Sequence, residues 1–283
     1  MSIFRCPLCT SSMQLVGGKH LQCSNGHSFD LARHGYVNFL PAPFKSTYDN
    51  RLFVARSAVC DSGFYDVLHA HISELLTGSS FIASGTGSTL MLDAGCGEGS
   101  HLARVLATLK EQHGAEIAGV GLDLSKEGIV RASRRFPELH WCVADLANSP
   151  FHDGQFAAIL NILSPANYSE FARLLAHDGL LIKVIPESGY LQELRAHFFA
   201  QTKRSTYSNE RVVNRFCSRF TLLEKQRLQY TMALEGGLIE SLVQMTPLAW
   251  RAADTDVLRT TALQKLEITI DVSVLVGKAT ATI

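Results

Sequence analysis

The sequence predicts an α/β chain in which a parallel sheet is covered on both faces and a small metal-binding ribbon precedes it. Three observations carry this reading. From residue 90 onward, short apolar strands alternate with amphipathic helical stretches, the pattern of a parallel sheet wrapped by helices. Three cysteines and a histidine within the first 27 residues follow the spacing C-x2-C, thirteen residues, C-x3-H. After residue 219 the style changes again, to two long strand-like stretches flanking one helix.

In chain order, "MQLVGGKHLQC" reads as a short hairpin turning at Gly17-Gly18, with a cysteine-bearing turn on either side. "SFDLARHGYVNFLPAP" leads into a break at Pro41 and Pro43. Asn50 to Leu76 has helical periodicity, interrupted near Asp61-Ser62-Gly63. "TGSSFIASGTGST" is a loop; its G-T-G precedes a strand instead of following one, so it lacks the context of a phosphate-binding loop. Strands are expected at Leu90–Ala94, Ile117–Leu122, His140–Ala144, Phe156–Ile162 and Leu180–Ile185, with "HLARVLATLKEQ" and "EGIVRASRRF" helical between them. In the tail, "FTLLEKQRLQYTMAL" and "KLEITIDVSVLVGKA" read as strands around the helix "LIESLVQM", an antiparallel pair closing a parallel sheet.

With 26 basic and 26 acidic side chains the chain is neutral, so net charge gives no argument for a polyanion partner. Two segments are basic. Residues 1–60 carry Arg5, Lys19, Arg33, Lys45, Arg51 and Arg56 against Asp30 and Asp49, a local charge of +4. Residues 201–230 carry Lys203, Arg204, Arg211, Arg215, Arg219, Lys225 and Arg227 against Glu210 and Glu224, or +5. Such segments hint at phosphate contacts, although a charge run is more often a solvated face. No apolar run approaches about 18 residues, so no membrane span is expected. The N-terminus lacks a basic-then-apolar signal segment, which points to the cytoplasm. Seven cysteines, an odd number in a chain of 283 residues, do not suggest a disulfide framework.

Leu90-Met91-Leu92 ends in Asp93-Ala94-Gly95-Cys96-Gly97-Glu98-Gly99, just before a helix. Glycines there let the backbone approach a ligand at the carboxyl end of a strand, where open α/β sheets bind. The spacing D-x-G-x-G-x-G, with acidic Asp93 and Glu98, would repel the pyrophosphate that a dinucleotide loop cradles. It suits S-adenosylmethionine, which carries a sulfonium and an ammonium. Asp123, followed by Leu124, ends the next strand and can accept both ribose hydroxyls. Asp145 and Leu146 end the third and suit the adenine amino group and face. Taken singly, each is as readily an ordinary strand-end aspartate.

Cys6 and Cys9 on one knuckle, with Cys23 and His27 on another, give four ligands able to close a tetrahedral site. A Cys3His set with no spare position favours structural zinc, and a segment of this size has too little core to fold without it. His20, three residues before Cys23, is the weaker choice for the fourth ligand.

The ribbon, "HSFDLARHGYVNFLP", "ARSAVCDSGFYDVL", "LDAGCGEG" and "LVQMTPLAWRA" together resemble the bacterial guanine-N1 methyltransferases of large-subunit (23S) ribosomal RNA, the RlmA type, over the whole chain. The resemblance implies a class I methyltransferase (Rossmann-like) seven-stranded sheet with the last strand antiparallel. It implies a zinc ribbon at 1–40, a helical linker region at 41–85 and the S-adenosylmethionine-dependent domain at 86–283. The implied activity is methyl transfer to guanine N1 in a hairpin loop of that RNA, with the ribbon helping to hold the RNA. Some members thereby confer resistance to tylosin-like macrolides. It matches Cys6, Cys9, Cys23 and His27 to the zinc ligands, Tyr65 to a cofactor-contacting tyrosine, and Gly97 and Glu98 to the loop's contact pair. Tyr190 falls where some members have a cofactor-contacting histidine, and Asn161 where members place substrate-facing residues. Trp250, Tyr168 and Phe151 are candidate stacking partners for a splayed-out guanine, and a homodimer is compatible with the sequence. The competing readings are a small-molecule methyltransferase with a structural zinc appendage and a non-enzymatic zinc-ribbon RNA-binding protein. The intact glycine loop and Asp123 argue against the second, the basic segments against the first.

Overall fold

The computed structural model describes residues 3–42, 44, 48–77, 89–199 and 208–280. Residues 78–88 of the expected linker, with Pro43, Lys45, Lys203 and Arg204, lie outside them. Residues 13–30 form an antiparallel sheet of β1 (Met13–Val16), β2 (His20–Cys23) and β3 (Ser28–Asp30), with Val16 opposite His20 across the glycine turn. The next strand, β4 (Val37–Asn38), leaves the ribbon and joins the main sheet.

That sheet contains β5 (Leu90–Ala94), β6 (Ala118–Asp123), β7 (His140–Val143), β8 (Phe156–Ile162), β9 (Leu175–Pro186), β10 (Phe220–Glu235) and β11 (Lys265–Ala279), in the order β10-β11-β9-β8-β5-β6-β7-β4. The last strand, β11, is antiparallel to both its neighbours, and β4 to β9 are parallel. The expected count of seven is corrected to eight: two residues of the ribbon's exit add along β7, Val37 opposite Cys142 and Asn38 opposite Val143. β9 also begins five residues before the expected Leu180. Leu175 pairs with Phe156 across an irregularity in the ladder, ahead of the regular pairing from Leu180 onward.

The helices are α1 (Asn50–Asp61), α2 (Asp66–Thr77), α3 (Ser100–His113), α4 (Lys126–Arg135), α5 (Tyr168–Leu174), α6 (Gln192–Phe199), α7 (Glu210–Cys217), α8 (Gly237–Met245) and α9 (Asp254–Thr261). The expected interruption near residue 62 is the break between α1 and α2, and Asp49 caps α1 by accepting from Leu52 N at 3.0 Å. Because successive strand residues point to opposite faces, Met91, Leu160 and Val184 meet α1–α4, α6 and α8. Leu92, Ile159 and Ile185 meet α5, α7 and the ribbon on the other side.

The ribbon covers a gap on that second face. The connection from β7 to β8 passes β6 and β5 without a helix of its own. Phe4 stacks on Phe151 of that connection at 5.4 Å, and Arg5 N donates to Pro150 O at 3.0 Å. Asn148 Nδ2 donates to Pro7 O at 3.1 Å, and Arg5 pairs with Asp153 at 3.2 Å. Cys6, Met13, Leu21 and Cys23 are buried in the same apolar cluster as Val120, Leu122 and Phe156. Among the described residues, no helix is long and apolar enough to cross a membrane.

Candidate active site and metal centre

At the metal centre, the ligand atoms of Cys6, Cys9, Cys23 and His27 all lie within 4.8 Å of one another. Cys9 Sγ and Cys23 Sγ are 3.6 Å apart, and His27 Nδ1 is 3.5 Å from the sulfurs of both Cys6 and Cys23. A tetrahedron with Zn–S of about 2.3 Å and Zn–N of about 2.0–2.1 Å has edges of about 3.8 Å (S to S) and about 3.5 Å (S to N). The donor set fits zinc, and His20 is not among the four. The knuckles are built by backbone turns: Thr10 N donates to Cys6 O at 2.8 Å, with Thr10 held at φ 61°, and Gly26 N donates to Cys23 O at 3.0 Å. The Ser11 amide draws the Cys9 thiol down to about 5, toward the thiolate a metal requires.

The second site is a cavity of about 940 Å³ at the carboxyl ends of β5 to β9, where the strand order reverses between β8 and β6 around β5. The sequence-predicted residues on its wall are Tyr65, Gly95, Gly97, Asp123, Leu124, Asp145, Leu146, Tyr168 and Tyr190. Asp123 ties two loops together, accepting from Gly97 N at 2.8 Å through Oδ2 and from Ser125 N at 2.7 Å through Oδ1. Each oxygen keeps a lone pair for a ribose hydroxyl. Tyr65 and Tyr190 meet hydroxyl to hydroxyl at 2.7 Å, and burial pushes the Tyr190 phenol up to about 12. Gly97 lies at φ +58° with Arg56 Nη1 only 3.2 Å from where a Cβ would be, so the bare backbone forms the wall there.

Other predicted residues are placed elsewhere. Glu98 is fully buried, accepting from Ser57 at 3.1 Å, Ser100 at 2.6 Å and Arg135 at 3.3 Å, with Arg56 Nε at 3.6 Å. Its Oε2 is therefore spent under the loop, its Oε1 faces Arg56 without a hydrogen bond, and the residue is off the wall. Gly99 serves packing: a Cβ would sit 2.4 Å from the Trp141 ring. Asn161 is fully buried and also off the wall, its Nδ2 donating to Ala94 O at 2.7 Å and Pro165 O at 3.0 Å. Phe151 is core beneath the ribbon, and Trp250 is half-exposed outside the cavity wall, 5.5 Å from the wall residue Tyr48. Asp93 is buried behind the wall with Oδ2 unpartnered, and burial raises its carboxyl to about 7 despite the opposing pull of Arg56.

Sequence reasoning missed Arg56, Ser164 and Lys183, all on the wall. Lys183 carried a readable signal, a single charge inside the apolar strand run "LLIKVIP". Leu163 and Leu191, two of the three non-glycine residues at positive φ among the described residues, also line the cavity; such strain gathers at ligand sites and costs about 1–3 kcal/mol each.

The cavity has the volume of a ligand pocket, with glycine backbone and two carboxylates on its wall and a third, buried and unpaired, behind it. These features fit a cationic nucleoside. A sheet of this order with such a cavity at its switch point defines a class I, S-adenosylmethionine-dependent methyltransferase, and residues 91–179 match the family model of a methyltransferase domain. Residues 4–47 match the zinc-ribbon model described as RlmA, N-terminal. YxjB of Bacillus subtilis (strain 168), provisionally named a 23S rRNA (guanine-N1)-methyltransferase, is 48% identical over 98% of this chain and 97% of its own. The 23S rRNA (guanine(748)-N1)-methyltransferase of Streptomyces fradiae is 34% identical over 87% of this chain and 85% of its own. The chain belongs to the family of 23S rRNA (guanine-N1)-methyltransferases.

Proposed function

We propose that the protein methylates N1 of a guanine in a hairpin loop of large-subunit ribosomal RNA in the cytoplasm. The observation that carries this reading is the whole-length match, ribbon and catalytic sheet together, at 48% identity. It supports RNA methylation over a small-molecule methyltransferase or a non-enzymatic ribbon protein.

When bound, S-adenosylmethionine supplies a methyl carbon made electrophilic by the sulfonium. Gly95 and Gly97 offer backbone to it, Asp123 its carboxylate to the ribose, and Asp145 with Leu146 the adenine end. Tyr65 and Tyr190, one hydrogen-bonded unit on the same cavity wall, would contact the cofactor as well. Positioning of the base against the methyl carbon supplies most of the barrier reduction. For the guanine, Tyr48 and Trp250 form an aromatic pair beside the cavity, and Tyr168 offers a buried hydroxyl without a partner. Arg211 and Arg215, one turn apart on α7, line the same cavity and suit the RNA backbone. Residues 1–40 act as the ribbon, 41–85 as the linker region that carries α1 and α2, and 86–283 as the methyltransferase domain, with β4 stitching the first to the last.

The test is primer extension on large-subunit RNA from cells lacking the protein, because a methyl on N1 stops reverse transcriptase. A stop present in wild type, lost on deletion and restored by the gene is expected. An unchanged stop pattern overturns the reading. Tylosin sensitivity of the same strains measures whether resistance accompanies the modification.

A further inference from the structure

Lys183 lies mid-strand in β9, is 4% exposed, and reaches the cavity wall. Its Nζ donates to Asn161 Oδ1 at 2.6 Å and to the backbone oxygen of Ser164. Asn161 is itself fixed, because its amide nitrogen is committed to Ala94 O and Pro165 O. Its oxygen therefore has to face the lysine. Ser164 belongs to the loop after β8, next to strained Leu163, and its Oγ lies 2.0 Å from where a Cβ on Gly95 would stand. The lysine amine thus sits where the glycine loop and the β8 loop converge. Among the described residues no carboxylate lies within ion-pairing distance of it, and burial lowers its ammonium to about 8.

A neutral amine has two N–H bonds and one lone pair. Asn161 Oδ1 and Ser164 O take up the two N–H bonds, which leaves the lone pair for the cavity. From this geometry we infer that Lys183 is the general base that removes the N1 proton of the target guanine; this rests on the guanine-N1 reading above. The proton passes from N1 to Nζ, the N1 electron pair forms the bond to the methyl carbon, and the carbon–sulfur pair stays on sulfur. A neutral amine, a neutral base and a sulfonium become an ammonium, a neutral methylated base and a thioether, so charge and atoms balance. The charge moves in the favourable direction: the ammonium forms only as the neighbouring sulfonium charge disappears.

The neighbouring strands present no titratable group opposite Lys183, since its register partners are Asn161 on β8 and Leu275 on β11. Around the cavity the charged groups are Arg56 from α1, Asp123 at the end of β6, Asp145 after β7, and Arg211 and Arg215 from α7. His101, kept neutral by burial, and the phenols of Tyr48, Tyr65, Tyr168 and Tyr190 complete the titratable wall.

The test joins two measurements on the full chain. In protein labelled with carbon-13 lysine, the Cε resonance missing from Lys183→Met should titrate with a midpoint of about 8, and lower with S-adenosylmethionine than with S-adenosylhomocysteine. In single-turnover methylation of the RNA, the wild-type rate should rise with pH to a plateau at the same midpoint. Lys183→Met should lose about 10²–10⁴-fold at pH 7.5 and show no plateau, following the nucleobase's own ionisation. Its affinity for S-adenosylhomocysteine should stay within about threefold, since the base touches the substrate and not the thioether. Wild-type rate in Lys183→Met or in Lys183→Arg overturns the proposal, as does a Cε midpoint near the ordinary lysine value of about 10.4. If Lys183→Met fails to fold, the resonance is assigned by its absence from Lys183→Arg, and its midpoint together with the wild-type rate profile decides. Wild-type protein that makes no N1-methylguanine at any pH overturns the functional reading itself, whatever the NMR midpoint.

Discussion

The two faces of the central sheet are covered by different means. On one, helices α1–α4, α6 and α8 bury Met91, Leu160 and Val184 by ordinary amphipathic packing. On the other, α5 and α7 are the helices available among the described residues, and a ribbon of three short strands fills the place above β5 and β6 where the β7–β8 connection carries no helix. The first face is held by burial. The second depends on a unit whose inward residues, Cys6, Met13, Leu21 and Cys23, include two of its own metal ligands. A metal site so placed is part of the sheet's cover.

Metal removal is therefore expected to have the largest effect. Structural zinc contributes about 10–16 kcal/mol of apparent folding free energy in isolated zinc-finger peptides, as much as the whole stability of a typical domain at about 5–15 kcal/mol. Cys23→Ser, or chelation, should take bound zinc from one per chain to none and lower the main calorimetric transition. Hydrogen exchange should speed up in β6 and β7 as well as in the ribbon. A main transition that keeps its melting temperature while only the N-terminal segment unfolds would dissolve the contrast between the faces.

Next in size is a contrast inside the glycine loop. Gly97→Val forces a branched residue to φ +58° against Arg56 at the cavity wall, so S-adenosylmethionine affinity should fall more than about 100-fold, near 3 kcal/mol. Gly99→Ala puts its Cβ 2.4 Å from Trp141, on the helix-covered face. It should cost about 1–3 kcal/mol of stability and little affinity where the protein is folded. Calorimetry showing the same loss of affinity for both would undo the division of labour.

Asp93 gives a pH-dependent test of smaller size. Its folded carboxyl, near 7, lies above the unfolded value of 3.8, so the folded state holds the proton more tightly. The stability it contributes is full below about 4 and is lost as pH rises through about 7. Asp93→Asn should remove that dependence, melt higher than wild type at pH 8, and bind S-adenosylmethionine more weakly. Parallel melting curves for the two proteins across pH 4–8 would show instead that the carboxylate is relieved by a partner.

These contrasts also mark what could be read from sequence. The ribbon ligands were legible because all four fall within 22 residues and their spacing is the geometry. The strands Leu90–Ala94 and Phe156–Ile162 were legible because burial on both faces leaves apolar runs interrupted only by Asp93 and Asn161 near their carboxyl ends. Asp123 was legible as a strand-end carboxylate following a glycine loop. The pairing of Asn161 with Lys183 was not, since it arises from the register of two parallel strands and turns the expected substrate residue into a scaffold for the lysine. Glu98 misled for a related reason: a charge on a loop reads as solvent-facing, and only α1 and α4, packed over it, supply Ser57, Arg56 and Arg135. The ribbon's second role was hidden because the missing crossover helix is an absence within residues 144–155.

The smallest effect concerns the RNA grip. Of the +5 segment, Arg227 is committed to Asp271 at 2.7 Å, whereas Arg211 and Arg215 face the cavity from α7. Charge reversal of both should weaken RNA binding several-fold at physiological salt. It should flatten the plot of log affinity against log salt by about 0.7 per lost single-strand phosphate contact, hence about 1.4 for two. Affinity for S-adenosylmethionine should not move. In the ribbon, deletion would strip cover from the sheet and confuse grip with stability, so reversal of exposed Lys19 and Arg33 is the cleaner probe. Arg5 and Arg56 are poor choices there, being paired with Asp153 and Glu98. If the ribbon holds RNA, Lys19→Glu with Arg33→Glu lowers the slope as the α7 pair does. If its work ends at covering the sheet, the slope is unchanged while zinc content and melting temperature stay those of wild type. Filter binding at several salt concentrations measures both, and a slope untouched by either pair would take the phosphates away from both surfaces.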